Sequence, residues 1–540
     1  MVPTAPEPLS VCPRCGRRMP KPKGAVTFEY GIGPVGHQHC EACDTRWRYV
    51  WHKSGRGGGR GLMKVVVVVL LLAAAVAAGV FLFQKSRKQS FPEKWDVRVA
   101  PIAAKVASLR GLTFKHPVKV NYLTGPEFTK MVTAGPDELK KRGAEIDQAG
   151  GVLRAGGLIG AKVNLARAIN ATRAADTIAF YDSETKEIYV RGAGPFTVET
   201  RVTLAHELTH VLQDQYFDLG KLTKNARDSR SGSSDALTAL VEGDATRIEE
   251  KYLANQPPAD RQIYTLLAAQ AAAQANASTQ SLPAVVATYF NAPYVFGPPV
   301  IHVLDAQGGN AAINAALTGG TPSTRLYLDP TAVGATPTPP DVPKLQSGET
   351  KIAPLSKNDN EFDNFTLYLM LAARMDLPTA LRAADAYSSG SEVLYKRGAN
   401  TCFRAAIVGD NPAANTYLAS VIRRWTQTVP DAGIEPAAST TAVVFHSCDP
   451  GPRAVTPANV NITGATRLAA NRDALVASLV NQHLTSLLAV CASRVLVQQP
   501  DVRDAIMNGD VLAHPTPQML RESATAGVSC RSNPRAGLPG

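Results

Sequence analysis

The sequence predicts an α+β protein: a mainly helical globular region with a small β-hairpin or sheet, a small α/β unit added to it, and ahead of both a cysteine-bearing module and one membrane-spanning helix. Three observations carry that expectation. An uncharged run of 19 residues, Val65–Phe83, separates a short basic N-terminal stretch from the rest of the 540-residue chain. Apolar residues recur at helical spacing from about residue 198 to 318, after two β-rich runs joined by a polar turn. A further group of strand-like and helix-like segments follows a loop rich in Pro, Thr and Gly at 319–360.

Residues 1–50 form the first unit. CPRC (Cys12, Cys15) and CEAC (Cys40, Cys43) are two CxxC pairs separated by 24 residues, the knuckle pair of a zinc ribbon. Four thiolates close a tetrahedron around a structural zinc ion and leave no open position. A module this short seldom folds without such a staple. His37 and His39 are weaker competitors for the ion. If the ribbon has a partner, a cytoplasmic protein is the one expected.

A Gly/Arg linker (51–61, containing SGRGGGRG) leads to the anchor, 62–84. As a helix its uncharged run is about 28 Å long at ~1.5 Å per residue, close to the ~30 Å of a bilayer core. It has no polar face that a buried soluble helix would show. Arg46, Arg48, Lys53, Arg56, Arg60 and Lys64 precede it, and Lys85, Arg87 and Lys88 follow. The bias puts the N-terminus in the cytoplasm and the rest of the chain outside, as a single-pass cell-membrane protein.

This placement also explains the net charge of +12, since residues 1–61 carry ten Lys/Arg against four acids. No basic stripe with interleaved aromatics occurs elsewhere, so nucleic acid is not an expected partner. The cysteines agree with the crossing. The paired set suits a reducing compartment and a metal. The scattered, even-numbered set, Cys402, Cys448, Cys491 and Cys530, suits disulfides outside it.

A stalk (85–100) precedes the main globular region, 101–330. There PVKVNYL (Pro117–Leu123) reads as a strand, GPDELKKRGAEIDQAGGVLRA as mostly helix, and TIAFYDSETKEIYVRG as a hairpin. Beyond the Pro/Thr-rich loop at 331–360 lies an extension, 361–540. In it DNFTLYLMLAARM reads as helix, SEVLYKRG and TCFRAAIVG as strands, AANTYLASVIRRWTQT as helix, TAVVFHSC as strand, and 466–525 as helical. Cys402 lies in one of these strands and Cys448 ends another, which favours the pairing Cys402–Cys448 and Cys491–Cys530 among the three that four cysteines allow.

The chemistry centres on VTLAHELTHVLQDQY (Val202–Tyr216). His206 and His210, four residues apart, project from one helix face and can share one ion, with Glu207 beside them. Val202, Leu204, Ala205, Leu208, Val211 and Leu212 mark the helix as buried. Leaving such groups without partners costs ~1–3 kcal/mol each, and a zinc ion removes that cost. Catalytic zinc needs a third protein ligand and one open position. HExxHxxGxxH does not supply the ligand, because Gln213 and Tyr216 stand where it has Gly and His. Asp214 is ~12 Å along the axis from His206. Glu242 in DALTALVEGDATRIEEKYL is the best candidate, an acid interrupting an apolar run, with Glu249 as the fallback.

TLAHELTHVLQDQYFDL followed by ALVEGDA resembles the gluzincin zinc metallopeptidases, and more closely the bacterial neutral zinc metallopeptidases with an HExxH–LQDQ–EGDA pattern. The likeness runs from about Pro117 to Leu317. It includes FYDSETKEIYVRG and PYVFGPPVIHVLDAQGGNAAINAAL, and it weakens through AADAYSSGSEVLYKRG. The resemblance implies a zincin-like domain with His206, His210 and Glu242 on a catalytic zinc ion and Glu207 as general base. It implies hydrolysis of peptide bonds in a peptide or protein substrate by a zinc-activated water. Tyr294 and His302 are candidate donors to the transition-state oxyanion. Thr246 stands where many gluzincins have an acid that orients a histidine. Asp244 points elsewhere on an ideal helix, and Asp235 is a substitute on the face of Glu242. Lys186–Gly192 (KEIYVRG) is a candidate strand for peptide addition. The alternative function is a catalytically inactive, peptidase-like membrane sensor or scaffold that works through its cytoplasmic ribbon.

Overall fold

The computed structural model describes residues 90–540 except 177, 230–232, 280–281, 321, 336–337, 353–359, 437–441, 509–516 and 540. Before residue 90 it describes only the backbones of four strands: β1 (Thr4–Ala5), β2 (Thr27–Glu29), β3 (Gly33–Cys40) and β4 (Thr45–Val50). They form one sheet in the order β1-β4-β3-β2, with Cys40 opposite Thr45 in the β3–β4 pairing. Cys12, Cys15 and Cys43, the Cys40 side chain and the run Val65–Phe83 lie outside the described residues. Among the described residues no helix is long and apolar enough to cross a membrane.

From residue 90 the chain mixes α and β, with helix dominant. Helix α1 (Ala100–Arg110) leads to β5 (Val120–Leu123), then to α2 (Gly125–Val132), α3 (Pro136–Lys141), α4 (Gly143–Ala155) and α5 (Leu165–Asp176). The expected hairpin follows as β6 (Ala179–Asp182) and β7 (Glu187–Arg191), antiparallel with Asp182 opposite Glu187. Lys186 takes the left-handed conformation, φ 57°, that closes so tight a turn. β7 also pairs in parallel with β5, giving the order β5-β7-β6. Both edges of β7 are therefore occupied. This corrects the expectation that Lys186–Gly192 offers a free strand; the open edge next to the pocket belongs to β6.

Five helices fill 198–318: α6 (Val198–Phe217), α7 (Leu219–Ser229), α8 (Ser233–Ala254), α9 (Pro258–Thr279) and α10 (Ala284–Thr318). Thr197 caps α6 by accepting from the Thr200 amide, which satisfies one of the orphan donors of the first turn. α10 kinks at Gly308–Gly309. The Pro/Thr-rich stretch, expected to be loop, contains the short strand β8 (Glu349–Lys351). β8 forms because β9 (Tyr387–Arg397), after α11 (Asn364–Ala372) and α12 (Leu377–Ala386), leaves an edge that can accept it.

The extension continues with β10 (Asn400–Gly409), α13 (Pro412–Thr426), β11 (Ala432–Ile434) and β12 (Val443–Cys448). Its antiparallel sheet has the order β11-β12-β10-β9-β8. α14 (Asn459–Asn481), α15 (Ser486–Gln498), α16 (Pro500–Asn508) and α17 (Pro517–Ser532) complete the chain. Cys402 faces Cys448 across the β10–β12 ladder and is bonded to it, and Cys491 is bonded to Cys530, tying α15 to α17.

Two apolar cores meet at α8, the helix that faces the HELTH helix. The smaller packs α6 (Val202, Leu208, Val211, Leu212) against α1, the β5-β7-β6 sheet and α9. The larger joins α8 and α10 to α11–α14 and the five-stranded sheet. α8 takes part in both, through Leu237 and Leu240 in the larger core and Ile248 and Tyr252 in the smaller.

Candidate metal centre

α6 and α8 bring the predicted groups together. His206, His210 and Glu242 are buried, and one ligand atom from each lies within 4.8 Å of the others. The Nε2 atoms of His206 and His210 stand 3.1 and 3.3 Å from the same oxygen, Glu242 Oε2. Ligand atoms ~2.0–2.1 Å from a tetrahedral zinc ion lie about 3.3 Å apart. These side chains therefore fit such an ion with little rearrangement. Burial pushes the imidazoles down, but the hydrogen bonds to Glu242 and Glu249 prevail at His206 and raise its pKa to about 10. His210 is also raised, mainly by the charge of Glu242 against its burial. Glu242 is held at about 2, as the His210 and His206 charges outweigh its own burial.

Glu207 points to the same pocket. Burial raises its pKa, opposed by the two histidines, and the Tyr181 amide of β6 donates to its Oε2 at 2.8 Å. The open edge of β6 therefore holds the carboxylate in place. Tyr181 is fixed in turn, since its hydroxyl donates to Asp214 Oδ2 at 2.6 Å and Lys186 pairs with that same oxygen. Asp214, excluded as a ligand by its distance along the helix, thus braces the β6 end of the pocket.

The approach of Tyr294 depends on two glycines. A Cβ on Gly243 would lie 2.5 Å from the Gly297 carbonyl, and one on Gly297 would lie 2.1 Å from the Ala239 carbonyl oxygen. α8 and α10 therefore cross with their backbones in contact. Gly243 follows Glu242 directly, and Tyr294 is three residues before Gly297, so the crossing sets the tyrosine over the cluster. Its ring stacks 6.4 Å from that of His206, and it lines the pocket beside Glu207 and Glu242. Burial and the Glu242 and Glu207 charges hold its pKa well above the usual tyrosine range, so it keeps its proton.

The second donor candidate is placed elsewhere. His302, two turns further along α10, pairs with Glu250 at 3.6 Å and faces a separate groove against α14. The i, i+8 spacing carries it more than a turn past the cluster. The reserve ligand Glu249 is also corrected. It stands behind His206, accepting at 3.1 Å from Nδ1, while the Tyr264 hydroxyl donates to its other oxygen at 2.8 Å. It thus places a carboxylate on His206 Nδ1, which Thr246 cannot do. Asp235 sits buried at the start of α8, where its backbone carbonyl accepts from Tyr327.

Behind His210 stands Gln213, whose Oε1 is 2.9 Å from Nδ1. In the sequence Gln213 reads only as a departure from the HExxHxxGxxH pattern. Its position at i+3 from the ligand was the signal available. Asp244, predicted to face away, reaches this network through Gln213.

The pocket in front of the cluster is lined by Ile178 and by Ala179–Tyr181 of β6, together with Leu219, Thr223, Leu237, Thr238 and Val241. No family model, no curated protein and no solved structure matches the chain.

Proposed function

We infer that the chain is a zinc-dependent metallopeptidase, anchored by residues 62–84 with its catalytic region outside the cytoplasm. The observation that carries this reading is the convergence of His206, His210 and Glu242 on one point, with Glu207 and Tyr294 around it. Two imidazoles and one carboxylate are the donor set of a zinc site that keeps a position for solvent and substrate. When bound, zinc would supply Lewis acidity, lowering the pKa of a water molecule and polarising the scissile carbonyl.

The protein's own groups do the rest. Glu207, with one oxygen held by the Tyr181 amide, accepts the proton of the attacking water and returns it to the leaving amine. Its raised pKa suits both halves of that exchange. Tyr294 keeps its hydroxyl proton and donates a hydrogen bond to the developing oxyanion. β6 lies at the edge of its sheet, and apart from the Tyr181 amide given to Glu207 that edge can pair with an extended peptide, so main-chain hydrogen bonds align the substrate. The aliphatic wall of Leu219, Leu237 and Val241 accepts an apolar side chain.

Glu207→Gln is the test. It keeps the shape and both imidazoles but cannot take a proton. Hydrolysis of a peptide library should vanish while bound zinc per chain is unchanged. Persistent cleavage would rule out this role for Glu207.

A further inference from the structure

The two imidazoles of the cluster are backed in different ways. Nδ1 of His206 meets a carboxylate directly, Glu249. Nδ1 of His210 meets a neutral amide, and the nearest carboxylate is one residue further back. We propose that Gln213 is a positioning residue for the metal centre: clamped between the Val241 carbonyl and buried Asp244, it fixes the ring plane and tautomer of His210. The inference rests on the metal-site reading above and names the side chains that hold that site in shape.

The argument is one of donors and acceptors. The Gln213 amide nitrogen donates to Val241 O and to Asp244 Oδ2, each at 3.0 Å. Both partners only accept. Turning the amide over would set its oxygen against a carbonyl and a carboxylate in a fully buried place, with the loss of both bonds. The orientation is therefore determined, and it leaves Oε1 toward His210 at 2.9 Å. An amide oxygen only accepts, so His210 must carry its hydrogen on Nδ1. That leaves Nε2, which faces Glu242, as the nitrogen able to bind an ion.

Asp244 is itself held. Arg110 Nε donates to Oδ2 at 2.8 Å, and Arg247 Nη2 donates to Oδ1 at 3.1 Å. Arg247 Nη2 also reaches Asn310 Oδ1 at 2.6 Å, and Arg110 Nη2 reaches Asn314 Oδ1 at 2.6 Å. Both asparagines lie just past the Gly308–Gly309 kink of α10. The relay thus runs from α10 through the arginines of α1 and α8 to Asp244, and through Gln213 to His210. Gln213, Asp244, Arg110 and Arg247 are all buried, so a partner lost among them is not readily replaced by solvent.

Outer-shell partners of a ligating histidine affect metal affinity ~10–100-fold. The experiment uses the full chain and measures zinc affinity by competition with a chromophoric chelator at one pH. It compares wild type, His206→Ala, Gln213→Leu, Gln213→Met and Gln213→Glu. The metal-free unfolding temperature of each serves as a check on folding, and the visible spectrum of the cobalt(II)-loaded protein reports ligand geometry.

His206→Ala should lose one zinc equivalent relative to wild type. Gln213→Leu and Gln213→Met should bind that equivalent about 10–100-fold more weakly, with an altered cobalt spectrum. Either apolar variant suffices if the other does not fold. Gln213→Glu keeps an acceptor oxygen toward His210, so it should bind that equivalent more tightly than the two apolar variants do.

Wild-type affinity and spectrum in the apolar variants would overturn the positioning role and leave the metal site standing. Equal weakening in all three Gln213 variants would overturn it too, because an acceptor at this place would then not matter. Equal zinc content in wild type and His206→Ala would overturn the metal site itself, and this inference with it.

Discussion

Replacing Gly297 by alanine tests the contact that brings the second half of the site over the first. The new Cβ would sit 2.1 Å from the Ala239 carbonyl oxygen and 3.1 Å from the Gly243 amide nitrogen, against the 3.4 Å at which ordinary contact begins. The nearest neighbours are backbone atoms of a buried helix, which cannot swing aside. α8 and α10 must therefore separate by roughly 1.3 Å, the difference between 3.4 and 2.1 Å. Overpacking of this kind costs ~1–3 kcal/mol, here toward the upper end, because it is backbone against backbone. Alanine gains back about 1 kcal/mol over glycine in helix propensity. A net destabilisation of about 2 kcal/mol follows, with a fall of a few degrees in the unfolding temperature.

The displacement has a second effect, because Tyr294 is one turn away on the same helix. A shift near 1 Å in a group that must meet a transition state can cost ~10²-fold. Thermal unfolding of the metal-free chain gives the first number, and kcat on a cleaved peptide gives the second. A Gly297→Ala protein at least as stable as wild type would refute the close crossing, because only the propensity gain would then be acting.

Further outcomes follow from the buried charges. In the ion-free protein the folded pKa of His206, about 10, lies above the free value of 6.5. Its contribution to stability is therefore whole below about pH 6.5 and is lost as pH rises through about 10. Glu242, held at about 2 against 4.5, contributes above about pH 4.5 and ceases to do so as pH falls through about 2. Zinc must displace the His206 proton, so its apparent affinity should rise ~tenfold per pH unit per proton between pH 6 and 8; a flat chelator-competition profile would contradict this. Arg110→Met should cost ~3–5 kcal/mol in denaturant unfolding, because it leaves the fully buried Asp244 with one arginine fewer. A loss below about 1 kcal/mol would mean that solvent or Arg247 alone satisfies that carboxylate.

Much of the site was legible in the chain because it depends on local geometry. A helix places residues four apart on one face whatever surrounds it, so His206 and His210 declared themselves as a pair, with Glu207 beside them. The polar turn between two β-rich runs declared the β6–β7 hairpin. Glu242 was legible for a weaker reason, as an acid where α8 should be apolar. The groups behind the ligands were not. Glu249 serves His206 only because α8 crosses α6 at the angle that brings two turns of it past the same imidazole. Thr246, at the expected spacing, carried no such information.

What the sequence determined by itself, then, is whatever hydrophobic period, turn chemistry and short-range spacing control: the helices, the hairpin, the strands of the extension and the paired imidazoles. Only the tertiary structure decided the rest. It placed β7 inside its sheet and β6 at the edge, sent His302 to another groove, and joined Gln213 to Asp244 and Arg110 across 134 residues of chain. The physical reason is that such contacts depend on the distance and angle between packed elements. At the α8–α10 crossing these are set by the absence of two side chains, a feature that no periodicity in either helix records.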